Sequence, residues 1–398
     1  MRNNPKTSDR TSAHRTSRRG ADLGPNAHLI GQPRSRQALA TPALILDLDA
    51  FEHNLKAMAR LCKRAGVSLR PHAKTHKSIE IANRQIAAGA LGISVATVRE
   101  AVVMVEAGVP GVLLTTPVVG DIKLDIVCGL AGQSTGFMVA VDSLIGVDAL
   151  ERALQRAGKK LTVLADLDIG MKRTGVPDVA GALELIRRLQ SSKVLTLAGV
   201  QAYSGIVQHI PLAADRARVY LKQLRHLVAV LKAAKEMGYT PGIVSGGGTG
   251  TFDIDRQAGL FTECQCGSYA VMDVEYEEVQ LFATGPGPFK TALYVQCAVV
   301  SNNYPAWPTI DGGSKCFSMD GPMPRVARGA PAGAVYEVFG DEFGKIRLAG
   351  KGGKLKLGAK VEMITPHCDP TINMHDFFHC VRGNVLVGIW PVDARGSL

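Results

Sequence analysis

The chain has 398 residues, 46% of them hydrophobic and 20% charged, enough for a large core in two or three domains without staples. No apolar run reaches the roughly 18 residues of a membrane span, and the eight cysteines are scattered without a C-x-x-C pair, which predicts a soluble cytoplasmic protein with reduced thiols and no membrane partner. The net charge of +11 is nucleic-acid-like, but residues 1–40 hold eight Arg or Lys against Asp9 and Asp22, so over half the excess is local and no nucleic-acid partner is expected.

In chain order, residues 1–40 are rich in Ser, Thr, Asn and Arg without apolar periodicity and read as a disordered basic extension. "TPALILDLD" (41–49) is a β run, and Phe51, Leu55, Met58 and Leu61 follow at helical spacing. Short apolar runs then recur at 67–70, 91–97, 112–116, 137–142, 161–168, 197–203, 242–247 and 263–269. Amphipathic helical stretches separate most of them, several closed by glycine. Eight strands alternating with helices predict an α/β fold, a (β/α)8 TIM barrel over residues 41–280. From 281 to 398 the runs "ALYVQCAVVS", "AVYEVFG", "KVEMITP" and "NVLVGIWPVD" are separated by Gly, Pro and Asn, which predicts a mostly β second domain.

The chemistry-bearing residues fall at predicted strand ends, where barrels place their sites. Lys74 ends the first barrel strand between His72, His76 and Lys77; cations around it are expected to depress its pKa and ready it for a Schiff base. "SGGGTGTF" after the seventh strand offers Ser245, Gly247, Gly248, Thr249 and Gly250, and "CGSYA" after the eighth offers Gly267, Ser268 and Tyr269. Glycine turns there let backbone N–H groups approach a phosphate. A lysine with two such turns points to pyridoxal phosphate. Arg173, in "DLDIGMKRTG", suits the cofactor's phenolic oxygen or a substrate carboxylate. "QAYSGIVQH" brings Gln201, Tyr203 and His209 to the sixth strand's end, with Tyr203 able to pack on the cofactor ring. In "PHCDPT", alternation on an extended segment would put His367 and Asp369 on one side and Cys368 on the other. Such an N/O pair fits an open site for Mg, Mn or Zn.

In order and spacing, "TPALILDLD", "LRPHAKTHK", "DLDIGMKRTGV", "GVQAYSGIVQH", "SGGGTGTF", "TECQCGSYAVMD" and "PHCDPTINMHDF" resemble the fold-type III pyridoxal-phosphate enzymes of the D-threonine aldolase and D-serine dehydratase group, whose barrel is similar to that of alanine racemase. The resemblance runs from about residue 41 to the C-terminus. It implies a Schiff-base Lys74, phosphate contacts from both glycine turns, Arg173 beside the ring, a divalent metal on His367 and Asp369, and a homodimer. Asp369, where dehydratases of the group tend to have cysteine, implies an aldolase cleaving β-hydroxy-D-amino acids of the D-threonine or D-3-hydroxyaspartate type to glycine and an aldehyde; the alternative is a dehydratase releasing ammonia and a keto acid. The catalytic base is left to His72, His209 or a hydroxide on the metal. Two positions depart from the pattern: Phe343 in "DEFG" replaces a histidine, and Ser204 stands where aldolases often carry one.

Overall fold

The first apolar run, β1 (Ala43–Asp47), does not join the barrel. In the computed structural model, which describes residues 23–349 and 354–396, β1 pairs antiparallel with strand Leu293–Ser301 and parallel with Phe377–Arg382. It runs inside the β domain's sheet. Ala43 to Leu46 are all buried, and a strand covered on both faces reads as a continuous apolar run that carries no sign of which sheet receives it. The sequence division at residue 41 places this strand with the barrel; its hydrogen bonds belong to the second domain.

The eight predicted barrel strands form, with shifted boundaries: β2 (Ser68–Leu69), β3 (Ile93–Val95), β4 (Val112–Leu114), β5 (Met138–Val141), β6 (Leu161–Leu167), β7 (Leu195–Ala202), β8 (Ile243–Gly246) and β9 (Glu263–Cys264). They make one sheet in the order β2-β9-β8-β7-β6-β5-β4-β3, every pair parallel. The seam between β2 and β3 is spanned by a His72–Ser94 bridge and by the Ser94 N–H donating to the Pro71 carbonyl at 2.9 Å. Helices cover the outside because each has one apolar stripe. Leu48–Ala65, for example, starts where the Asp47 side chain accepts the Ala50 N–H, ends at left-handed Gly66, and buries Phe51, Leu55 and Met58. Among the described residues no helix is long and apolar enough to cross a membrane, and all eight cysteines are free and buried.

The N-terminal extension is ordered sooner than its composition predicts. Residues 1–22 of that expectation lie outside the described residues, while from Leu23 onward the chain packs on the β domain. Leu29 and Leu39 are buried in an apolar cluster with Ile45, Val381 and Leu386, and a buried carboxylate adds a polar anchor. Glu362, on strand Lys360–Ile364, accepts from Arg36 Nε and Nη2, each at 2.7 Å, and also from Gln296 and Arg328. Burial raises the Glu362 pKa, but the guanidinium of Arg36 with that of Arg328 outweighs it and holds the carboxyl below its usual 4.5. This contribution is present above about pH 4.5 and is lost as pH falls through the depressed folded value. Arg36→Met leaves the carboxylate short of its main partner and is expected to destabilise the fold by about 3–5 kcal/mol at neutral pH, read as a lowered denaturant midpoint.

Candidate active site

The C-terminal ends of the barrel strands surround a cavity of about 180 Å³. After β2, Pro71 and His72 lead into a single 3-10 turn, Ala73–Thr75, capped where the Lys74 N–H donates to His72 Nδ1 at 3.3 Å. His72 Nε2 meets Thr115 Oγ1 at 3.2 Å, so both ring nitrogens are engaged. The turn aims the Lys74 side chain into the cavity, where its ammonium pairs with Asp369 of the β domain.

That pair reverses one expectation from the sequence. His72 and His76 are not cations here: burial first, helped for His72 by Lys74, lowers them to about 3 and about 4. Burial would lower Lys74 as well, but the Asp369 carboxylate beside it wins and holds the amine above its usual value. Asp369 is in turn held well below the usual carboxylate range by Lys74 and His367, against the effect of burial. In this state Lys74 is a stable ammonium.

Gly248, Thr249, Gly267 and Ser268 also line the cavity. Their turn is fixed internally: the Gly248 N–H donates to Thr251 Oγ1, the Gly250 N–H to Gln208 Oε1, and the Tyr269 N–H to Thr249 Oγ1. A Cβ on Gly250 would collide with the Gln208 carbonyl, and one on Gly267 with Thr75 Oγ1. Ser245, Gly247 and Gly250 do not line the cavity; they sit behind it, with the Ser245 hydroxyl accepting from Gln265 at 2.9 Å. Tyr269 points elsewhere, its hydroxyl accepting from Gln85 at 3.3 Å beside a crevice lined by Leu55 and Cys62.

Arg173, Gln201 and Tyr203 line the same cavity. The Arg173 guanidinium lies 5.8 Å from the Tyr203 ring centre. Gln201 donates to the Thr115 carbonyl and to Asp166 and accepts from Gln265. Of the two departures, Ser204 is fully buried with a hydroxyl that has no partner, and Phe343 is half exposed and away from the cavity lining.

At the mouth, His209 packs edge-on to Tyr276, ring centres 4.7 Å apart, and 6.4 Å from the His367 ring. Burial and His367 lower the His209 pKa to about 4. His367 and Asp369 are not on an extended segment: His367 caps a helix, Cys368–Asn373, and Asp369 stands in its first turn. Asp273, at the end of the barrel, positions this start by accepting the Cys368 N–H at 2.8 Å and the Tyr276 N–H at 2.9 Å. Sequence reasoning passed over two carboxylates beside His367. Asp320 Oδ2 lies 2.9 Å from its Nδ1 and Glu275 Oε2 4.0 Å. Burial would lower His367, but Asp369, Asp320 and Glu275 together raise it. No local motif marks these carboxylates; only the fold brings positions 275, 320 and 367 together.

The donors suit both implied groups. An amine, two turns of Gly, Thr and Ser, and a guanidinium with a phenol around one cavity match an aromatic aldehyde carrying a phosphate. For a cation, among the described residues no three His, Cys, Asp or Glu side chains converge as around a metal ion. The local charge nonetheless favours one: Glu275 Oε2 is buried without a hydrogen-bond partner, with Asp320, Asp369 and His367 near it.

The comparisons agree over most of the chain. The family described as alanine racemase, N-terminal domain, matches residues 46–274, and a serine dehydratase domain matches 292–381. The chain is 37% identical over 378 residues to D-threonine aldolase of Arthrobacter sp., covering 95% of this chain and 98% of that one. It is 33% identical over 364 residues to 3-hydroxy-D-aspartate aldolase of Paracoccus denitrificans (strain Pd 1222), covering 90% and 93%. The crystal structure of D-threonine aldolase from Filomicrobium marinum superposes with a TM-score of 0.87 at 38% identity, covering 90% of this chain and 97% of that one.

Proposed function

This chain belongs to the alanine racemase-like family that includes the D-threonine and 3-hydroxy-D-aspartate aldolases, and we propose that it cleaves β-hydroxy-D-amino acids to glycine and an aldehyde with pyridoxal phosphate and a divalent metal. The observation that carries this reading is the contact between Lys74 and Asp369. It sets the amine suited to the cofactor's aldehyde directly against the carboxylate suited to the metal, so one substrate can engage both. An aspartate here supplies a hard oxygen donor, which suits Mg or Mn and is acceptable to Zn.

Lys74 would hold the cofactor's aldehyde carbon, the turns with Gly248, Thr249, Gly267 and Ser268 its phosphate, and Arg173 and Tyr203 its ring. Bound pyridoxal phosphate supplies an electron sink for the pair released when the Cα–Cβ bond breaks. His367 and Asp369 would hold the cation, whose charge lowers the pKa of the substrate's β-hydroxyl. His209 is the group placed to take that proton. It is neutral at pH 7, stands beside His367, and has its ring fixed by Tyr276. His72 is the weaker candidate, because both its nitrogens are already engaged in holding the Lys74 turn. His209→Ala is expected to lower kcat by about 10²–10⁴-fold while leaving the cofactor's visible absorbance in place, as measured by glycine release and spectrum on the same sample.

We further place the protein in the cytoplasm as a homodimer. Met319, Met323 and Phe343 are each exposed apolar side chains that a second copy would cover. The function is tested by incubating the purified protein with D-threonine and D-3-hydroxyaspartate, with and without EDTA, and assaying glycine, aldehyde and ammonia. Glycine that requires metal is the expected result. Ammonia without glycine would move the assignment to a dehydratase.

A further inference from the structure

Behind the glycine turn lies a carboxyl that the proposed chemistry leaves unused. Asp255, on helix Phe252–Ala258, is 2% exposed. It presses on the back of the turn so closely that a Cβ at Gly247 would collide with its Oδ2. Thr251 Oγ1 donates to that Oδ2 at 2.8 Å and accepts the Gly248 N–H at 3.0 Å. Gly248 lines the cavity, so two hydrogen bonds connect the carboxyl to the turn that would hold the phosphate. Oδ1 has no partner.

The titratable groups facing Asp255 are Tyr220 from helix Ala213–Glu236, and Cys264 and Cys266 from β9 and the residues after it. None is a cation, and Arg256 on the same helix turns away to Asp253 at 2.9 Å. A buried carboxylate without a cation favours its neutral form. A phosphate dianion seated in the turn adds repulsion across the same short path.

We infer that Asp255 is a positioning residue for the cofactor's phosphate, neutral whenever the phosphate is seated, so that cofactor binding takes up a proton there. This rests on the pyridoxal-phosphate reading above. Burial raises the Asp255 pKa to about 7, against hydrogen bonds from Thr251, Tyr220 and the Gly248 N–H. In the cofactor-free chain the proton is therefore lost as pH rises through that value, and binding above it must recover the proton. Affinity for the phosphorylated cofactor then falls with rising pH by at most about tenfold per unit, the limit for one linked proton. The phosphate's own second pKa, about 6, lies below this range and contributes no slope there.

The test is a titration of the cofactor-free full chain with pyridoxal phosphate and with unphosphorylated pyridoxal between pH 7 and 9. Pyridoxal cancels the pH dependence of the amine–aldehyde step. The ratio of the two dissociation constants is expected to rise with pH, approaching tenfold per unit, in the unaltered protein and to stay flat in Asp255→Asn. A flat ratio in the unaltered protein, or an equal rise in Asp255→Asn, would overturn the inference. If the variant fails to fold, calorimetry of the unaltered protein at pH 8 in two buffers of different ionisation heat decides: net proton uptake approaching one with the phosphate form and not with pyridoxal supports Asp255, and equal uptake refutes it. Binding of neither form at any pH would sink the cofactor assignment together with this inference.

Discussion

Lys74→Ala is expected to abolish the visible cofactor band and to lower glycine release by roughly four orders of magnitude or more, because it removes both the covalent anchor and a proton-carrying amine. The same substitution strips Asp369 of its partner, so loss of activity alone would not separate chemistry from structure. Lys74→Arg makes the separation. A guanidinium keeps a positive charge opposite Asp369 but cannot be deprotonated to attack an aldehyde. Its thermal midpoint should stay close to that of the unaltered chain while band and activity are lost. A visible band that survives in either variant would remove Lys74 from the site.

Asp369→Asn carries the second large effect, in two opposite directions. Turnover is expected to fall by about 10²–10⁴-fold, comparable to loss of a directly acting group, with weakened binding of Mn followed by its spin-resonance signal. Cofactor attachment should become faster. Lys74 is held above its ordinary pKa by Asp369 against burial. With the carboxylate gone, burial dominates, the pKa falls, and each unit of fall raises the free-amine fraction about tenfold at neutral pH. Stopped-flow growth of the visible band after pyridoxal phosphate is added to cofactor-free protein reads this directly. Slower attachment in the variant would show that Asp369 is not what keeps Lys74 protonated.

The same residue shows how far local reading reaches. "PHAKTHK" identifies Lys74 as the lysine at a barrel strand end, but its flanking histidines suggest a depressed pKa when the opposite holds. The histidines are neutral because the fold buries them, and the decisive charge arrives from Asp369, 295 residues away along the chain. Glu275, Asp320 and Asp255 escape notice for a related reason. Single carboxylates on separate elements have no spacing to recognise, and their meaning comes from an unpartnered oxygen or a neighbouring imidazole.

By itself the sequence determined the parts that depend on local pattern. Eight apolar runs alternate with amphipathic helices to make a parallel barrel, and the glycine turns sit where only a residue without a Cβ avoids collision. Tertiary structure decided everything that depends on burial and on long-range pairing. β1 joined the other domain because an apolar run buried on both faces fits any sheet interior, residues 23–40 packed there through Leu29, Leu39 and the Arg36–Glu362 pair, and Lys74 became an ammonium because its field is set by Asp369. Periodicity is a property of neighbours along the chain, whereas desolvation and Coulomb energy depend on neighbours in space.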